Sequence, residues 1–399
     1  VNSKSSTINI HGNMEFNGDL KLDSGIRTVT VPAAGNPNFD VAVNELKKVL
    51  DAPEMEAQYV YVTSDSKGNK YVSKSSQGTD PDNKNYIFKI DTAGNKTLFH
   101  ESNSVIWHIK CSNDDTLFVS GHSSKRIMKI ETNNGVKGSV NENFVSGFSY
   151  NTRAIGIDNS TGNIYVHDQG GGDNNYLQTI TKITPSGTTS VFLTMPDNTN
   201  NIADNNITDI AFDSNNDMYL AIDNGGGKIY KVTNNGATVD KNWLVKNDIG
   251  NVDHRYNFSP NSIFFDENDN LFICSHGGSV GRYARIFRKA AGETNVVSLA
   301  GSPTQFHTAV ASTDASTTSL GHPTSITMDP FEDIYVMTSY DNGNLFHGGL
   351  YALGIEPTKF VVETKDTSTI GSFNLSAYER ANGEMTNQNN ISYQGTQYP

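Results

Sequence analysis

What this chain lacks narrows its class before any motif is read. Its 399 residues hold two cysteines, Cys111 and Cys274, neither in a CxxC pair, which excludes a disulfide framework and leaves both as expected buried thiols. No run approaches the roughly 18 apolar residues that a membrane span requires. The opening VNSKSSTINIHG has no apolar stretch of the secretory kind. The chain is therefore expected to be soluble, without membrane insertion, any export signal having been removed or never present. Lys and Arg total 30 against 43 Asp and Glu, a net charge of -13, and the cations stand singly. Nucleic-acid affinity comes from clustered cations, so a nucleic-acid partner is excluded. No GxSxG elbow, GxxxxGK[ST] loop or HExxH helix occurs, since His100-Glu101 has no histidine three residues on. The Gly-rich runs Gly170–Gly172 and Gly225–Gly227 precede strands, not helices, which disfavours a nucleotide loop. No catalytic residue, metal or cofactor is assigned from these patterns.

What is present is a repeat. Gly counts 35, Tyr 17 and Phe 19, a mixture that favours short strands and turns. The segment DIAFDSNNDMYLAIDNGGGKIYKV (209–232) shares its punctuation with SIFFDENDNLFICS (262–275) and SITMDPFEDIYVMTS (325–339). GIDNSTGNIYVHD (156–168), HIKCSNDDTLFVSG (108–121) and YVTSDSKGNKYVSK (61–74) fit the same frame, making six copies. An aromatic residue opens the second strand of each: Tyr71, Phe118, Tyr165, Tyr219, Phe272 and Tyr335. It recurs at spacings of roughly 47 to 63 residues, the scale of a repeat architecture. Six residues earlier stands Asp65, Asp213, Asp266 or Asp329, with Ser112 in copy two and Asp158 one residue earlier still in copy three. Third strands such as Ile127-Met128-Lys129-Ile130 and Ile229-Tyr230-Lys231-Val232 follow, and a weaker fourth strand closes each unit.

A four-stranded sheet of this kind has two apolar faces, which radial packing against neighbouring sheets buries. The expected fold is all-β: a six-bladed β-propeller of four-stranded blades with N- and C-terminal extension arms. Val62, Ile109, Ile155, Ile210, Ile263 and Ile326 share one first-strand position, and alternation puts the residue two further on to the same face. Asp213-x-Asn215-x-Asp217 has the spacing that opens calcium loops, yet it falls in the hairpin between first and second strands. Sister copies replace it with Asp-Ser-Lys-Gly-Asn and Asp-Pro-Phe-Glu-Asp, so it is read as a turn whose Asp binds nearby amides. The aligned openings of the first strands, with the residues just before them, nominate Trp107, His108, Arg153, Asp209 and Asn261 as axial-channel, ligand-binding candidates. The alternative reading of these five is that they plug the channel.

Ser298-Leu299-Ala300-Gly301-Ser302, then His322-Pro323-Thr324-Ser325-Ile326-Thr327-Met328-Asp329 with Ile334-Tyr335-Val336, resembles the NHL-repeat family of six-bladed propellers. Pro260 to Asp266 repeats the phrasing. The resemblance covers about Gln58 to Leu353 and implies a toroid with an axial channel, a fold that hosts enzymes, scaffolds and binders alike. Similar too are the gluconolactonase-like propellers, whose resemblance implies an axial divalent metal held by Glu, Asn and Asp, with Asn261 and Asp209 at ligand positions. No Glu enters the aligned ring, a departure from that family.

Outside the repeats, residues 1–57 are read as an N-terminal β arm with a short helix, 58–363 as the propeller and 364–399 as a polar C-terminal arm. Ile8 to Ile26 alternates apolar and polar residues with recurring Gly-Asn or Gly-Asp, and resembles the strands of phage tail-fibre and virion appendage proteins. FDVAVNELKKVL (39–50) carries Val43, Leu46, Val49 and Leu50 at helical spacing, which predicts a helix. Lys359 to Glu363 is the expected closing strand of the ring. The C-terminal arm, rich in Asn, Ser, Thr and Gln, would be disordered alone and is expected to be held by neighbouring subunits. The leading expectation is thus a non-enzymatic virion protein whose arms bind other subunits in an oligomeric assembly. Its propeller would meet a host glycan or protein. The alternatives are a metal-dependent gluconolactonase-like hydrolase and a bacterial surface or periplasmic binding propeller.

Overall fold

Each repeat is organised by its first turn. In blade one Asp65 Oδ1 accepts the amides of Lys67 at 3.0 Å and Asn69 at 2.8 Å, while Oδ2 accepts the Tyr71 hydroxyl at 3.0 Å. Asp213 does the same in blade four, with the amides of Asn215 at 3.0 Å and Asp217 at 2.9 Å and the Tyr219 hydroxyl at 3.0 Å. This explains the six-residue spacing of Asp and aromatic: one carboxylate closes the hairpin and holds the first ring of the strand it leads into. Asn216 takes φ 61 there. The Asp213 oxygens serve the turn, and Asp217 pairs with Lys231 at 2.8 Å, so the calcium-like spacing is turn chemistry.

The computed structural model describes residues 45–50, 61–75, 84–121, 125–149, 151–168, 178–195, 206–223, 227–249, 258–276, 284–301, 314–330, 333–341, 346–354, 372–381 and 384–394. Within them lie six antiparallel four-stranded sheets and one hairpin, and no α-helix. Blade one is Val62–Ser64, Lys70–Lys74, Asn85–Ile90 and Lys96–Ser102; blade two is Ile106–Cys111, Thr116–Gly121, Arg126–Asn133 and Val136–Ser146. Blade three is Thr152–Asp158, Asn163–Asp168, Thr179–Ile183 and Thr189–Thr194; blade four is Ile207–Phe212, Met218–Ile222, Lys228–Thr233 and Thr238–Val245. Blade five is Pro260–Phe265, Leu271–Ser275, Arg285–Lys289 and Val296–Ala300. Blade six takes three strands from the end of the repeat region, His322–Met328, Ile334–Asp341 and Phe346–Leu353, and a fourth, Leu46–Leu50, from the start. The first strands adjoin one another in a closed cycle, so they line the axis of a six-bladed β-propeller.

The core lies between blades. Val62, Ile109, Ile155, Ile210, Ile263 and Ile326 are all buried, and the residues two further on are half-buried. Gly156, between the two positions in blade three, is where blade four comes closest: a Cβ there would stand 2.4 Å from Ile210 Cγ2. Turns also clasp across seams. Asp115, at φ 58, accepts the Ser66 amide and hydroxyl at 2.7 Å each; Asp269, at φ 59, accepts those of Ser214 at 2.8 and 2.5 Å.

The expected helix over 39–50 and the expected burial of Cys111 are corrected here. Leu46–Leu50 is a strand paired antiparallel with Phe346–Leu353, not a helix. That sheet edge offers it a full set of backbone partners, and its Leu46, Val49 and Leu50 join the seams beside blade six, which outweighs a helical spacing of so few turns. The ring therefore closes with an N-terminal strand; Lys359 to Glu363 and the arm before residue 45 lie outside the described residues. The C-terminal arm contains a hairpin, Ser372–Ala381 with Glu384–Gln394, where SFNLS and NISYQ alternate with the strand period. Of the two cysteines, Cys274 is buried and Cys111 half-buried.

At the closing seam Lys70 of blade one and Asp329 of blade six form an ion pair at 2.9 Å, each side chain 1% exposed, with the ammonium 4.0 Å from the centroid of the Tyr335 ring. Burial pushes the Lys70 ammonium below its ordinary pKa, and the Asp329 charge opposes that. Lys70→Met or Asp329→Asn alone leaves a buried charge without its partner and is expected to cost about 3–5 kcal/mol, whereas Lys70→Met/Asp329→Asn, in which the amide oxygen still accepts the Asp333 amide, recovers part of the loss. Urea unfolding of the three variants checks this.

Candidate functional site

In five blades the ladder between first and second strands slips at one place: between Ile106 and His108, Thr152 and Ile155, Ile207 and Asp209, Pro260 and Ser262, and Pro323 and Ser325. A bulge re-aims the residue caught in it. The residues caught are Trp107, Arg153 with Ala154, Thr208, Asn261 and Thr324, all at the end of the axis where first strands begin. Thr208 and Thr324 turn back onto backbone, donating to the carbonyls of Pro260 at 2.7 Å and Met337 at 3.3 Å. Trp107 and Arg153 meet instead: the guanidinium carbon lies 5.4 Å from the Trp107 ring centroid, and one Arg153 amino group donates to Asn206 Oδ1. Asn261 is half-buried beside Ser262.

Below this level the axis is crossed by a buried charge cluster. Asp209 Oδ1 lies 3.0 Å from Lys110 Nζ and 3.2 Å from His108 Nε2, and also accepts the Ile210 amide at 2.8 Å. Oδ2 accepts the Ser262 hydroxyl at 2.8 Å and the Ile263 amide at 2.9 Å. Burial alone would push this carboxyl up, but Lys110, His108 and the Ile263 amide prevail and hold it far below the usual carboxylate range. His108 is driven the other way, chiefly by burial, against the pull of Asp209.

A second cluster lies at the end of the axis where first strands begin, on residues that directly follow second strands. His276 Nε2 is 3.0 Å from Asp223 Oδ1, and the His276 ring packs on His322 with centroids 4.5 Å apart and planes at 32°. An ionised carboxylate only accepts, so Asp223 fixes the His276 proton on Nε2 and leaves the basic lone pair on Nδ1. Burial again favours the neutral acid at Asp223, but the bond and charge of His276, then Ser259 and Arg153, outweigh it and hold the carboxyl low. Burial, with the His276 charge behind it, pushes His322 down to about 3. Asp223, His276 and His322 come from blades four, five and six in succession, and Arg153 from blade three. His167, fully buried, bonds Gln178 Oε1 at 2.8 Å nearby.

The structure thus joins the five nominated residues into two groups, Trp107 with Arg153 and His108 with Asp209, and leaves Asn261 at its own bulge. The Asp223–His276–His322 cluster was missed. Its signal was present: counting four residues past the aromatic brings Ser75, Asp223 and His276 to one position, and His322 aligns with Ser259 before a shared proline.

No known family's sequence profile and no curated protein matches the chain. Solved structures do match its fold. A gluconolactonase from Xanthomonas campestris aligns with a TM-score of 0.51 at 11% identity, over 82% of this chain and 96% of that one. A luciferin-regenerating enzyme aligns at 0.52 and 11%, over 79% and 97%. Regucalcin, a calcium-binding protein of Agrobacterium tumefaciens, aligns at 0.52 and 11%, over 80% and 96%. Identity this low establishes the fold alone. The virion appendage expected from the arms is corrected on this point: the folds matched are those of two enzymes and a calcium-binding protein, and nothing in them supports a virion role.

The axial metal of the gluconolactonase-like resemblance does not fit these residues. An ammonium bonded to Asp209 Oδ1 stands where a cation would bind, and Oδ2 already accepts two hydrogen bonds. Among the described residues, no group of three or more His, Cys, Asp or Glu converges as metal ligands do.

His167 gives the site a pH-dependent stability. Burial pushes it down to about 4, the Gln178 bond opposing only in part. The unfolded chain binds this proton below about pH 6.5. The contribution is therefore complete above pH 6.5, falls as pH drops toward 4, and amounts to on the order of 3 kcal/mol. His167→Gln is expected to lose that much less stability than the parent between pH 7 and 4, measured by urea unfolding at each pH.

Proposed function

We propose that the protein is a hydrolase of small carbonyl compounds, lactones or esters, working at the channel mouth through the Asp223–His276 pair without an axial metal. The observation that carries this reading is the 3.0 Å contact of His276 Nε2 with Asp223, with His322 packed on the same ring. The fold's likeness to a gluconolactonase and a luciferin-regenerating enzyme supports an enzymatic use of this mouth.

The chemistry follows from the side chains. His276 Nδ1 takes a proton from water as the resulting hydroxide adds to the carbonyl carbon. Asp223 stabilises the imidazolium so formed. Collapse of the tetrahedral intermediate breaks the bond to the ring or ester oxygen, and His276 returns the proton to that alkoxide. His322, held neutral at ordinary pH, places no second positive charge against the imidazolium. Buried polar partners keep the pair aligned: the His276 amide donates to the Ser259 carbonyl at 3.1 Å, and the Ser259 amide donates to Ser275 Oγ at 3.0 Å.

Chelator-treated, dialysed protein assayed against aliphatic and aromatic lactones and nitrophenyl esters tests the reading. Turnover is expected to survive chelation, to fall about 100-fold or more in His276→Ala, and to fall less in Asp223→Asn. Absence of turnover across the panel, activity that chelation abolishes, or activity untouched by His276→Ala would each overturn it.

A further inference from the structure

Arg153 stands in a first-strand bulge. The bulge between Thr152 and Ile155 takes it out of the ladder. Its guanidinium lies over Trp107, a residue 8% exposed, and one amino group is committed to Asn206. A guanidinium has five N–H donors. Among the described residues it forms no ion pair, in a chain that carries 43 acidic residues and a net charge of -13. Stacking on one side and a bond on the other fix the plane of the fork, and among the described residues no carboxylate is in contact with its charge.

We propose that Arg153 is the carboxylate-binding subsite of this mouth, so that the substrate is a small organic acid whose carboxylate the fork grips beside the reacting carbonyl. The inference rests on the hydrolase reading for its placement of the carbonyl, but the binding itself does not. A planar fork matches a carboxylate through two parallel bonds. The charge of Arg153 reaches Asp223, His167 and His108, so an anion held there lies within the field of the His276 pair. A carboxylate is favoured over a phosphate by charge balance: one guanidinium, with the Asp223 carboxylate near, suits a monoanion, whereas a phosphate dianion calls for further cations.

The test reads binding without turnover. Trp107 and Trp243 are the two tryptophans of the chain, so Trp243→Phe leaves Trp107 as the sole fluorescent reporter, beside the guanidinium. Lactate, benzoate and inorganic phosphate are titrated into that protein at constant ionic strength. A saturable fluorescence change is expected with the two carboxylates, with phosphate weaker. Arg153→Gln is expected to weaken carboxylate binding at least tenfold, Arg153→Lys and Asn206→Ala less, with circular dichroism confirming that each variant folds. The titration reads binding with no turnover, so a failed hydrolase assay and a failed subsite give different results. A flat titration, phosphate binding as tightly as the carboxylates, or an unchanged affinity in Arg153→Gln would overturn the proposal.

Discussion

The ring depends on how the inner edge of each blade is satisfied. First strands are edge strands, and the amides they turn toward the axis have no further strand to pair with. The neighbouring blade supplies the acceptor from one repeated position. Asp209 accepts the Ile263 amide at 2.9 Å, Ser262 that of Ile326 at 3.3 Å, and Ser325 that of Val62 at 3.3 Å, carrying the belt from blade four through six to one. Thr63, two residues along the same strand face, continues it to Cys111 of blade two at 3.0 Å. Asp209 is the charged link of this belt. Its second oxygen draws Lys110 and His108 across the axis, tying blade two to blades four and five. The side chains nearest the axis are thus spent first on holding the blades together.

That constraint decides which side chains are left over. One residue before the belt, the bulges release side chains from the ladder toward the mouth. Trp107 and Arg153 meet one another there, with the guanidinium over the indole. Loops after the second strands bring Asp223 and His276 to the same level, and the start of blade six brings His322. Closure of the ring positions all of them. Because the last blade is completed by Leu46–Leu50, and Lys70 binds Asp329 across the same seam, the blade that carries His322 is locked to the blade where the cycle began.

The fold was legible because its signals are local and repeated. Asp65 and Tyr71, or Asp213 and Tyr219, lie six residues apart for a reason contained within one hairpin, and the buried isoleucines share one strand position. Leu46–Leu50 was misread because its pairing partner lies some three hundred residues away, at Phe346–Leu353, and a short apolar spacing cannot announce a remote sheet edge. The candidate site was half legible. Aligning first strands found Trp107, His108, Arg153 and Asp209, all within one element type. Asp223, His276 and His322 escaped because their association crosses three blades and joins loop ends to a strand start, a proximity that only the closed ring creates.

The two histidine–carboxylate pairs show why residue type alone could not choose between them. His108 with Asp209 and His276 with Asp223 are separated by 3.2 Å and 3.0 Å, nearly the same contact. Asp209 is fully buried and shared among an ammonium, a hydroxyl and two amides, so moving a proton to its histidine would disturb the belt that closes the ring. The side chain of Asp223 is 19% exposed and that of His276 10%. The same pairing therefore carries different burdens at two depths of the axis, and the difference lies in the number of other donors each carboxylate must answer.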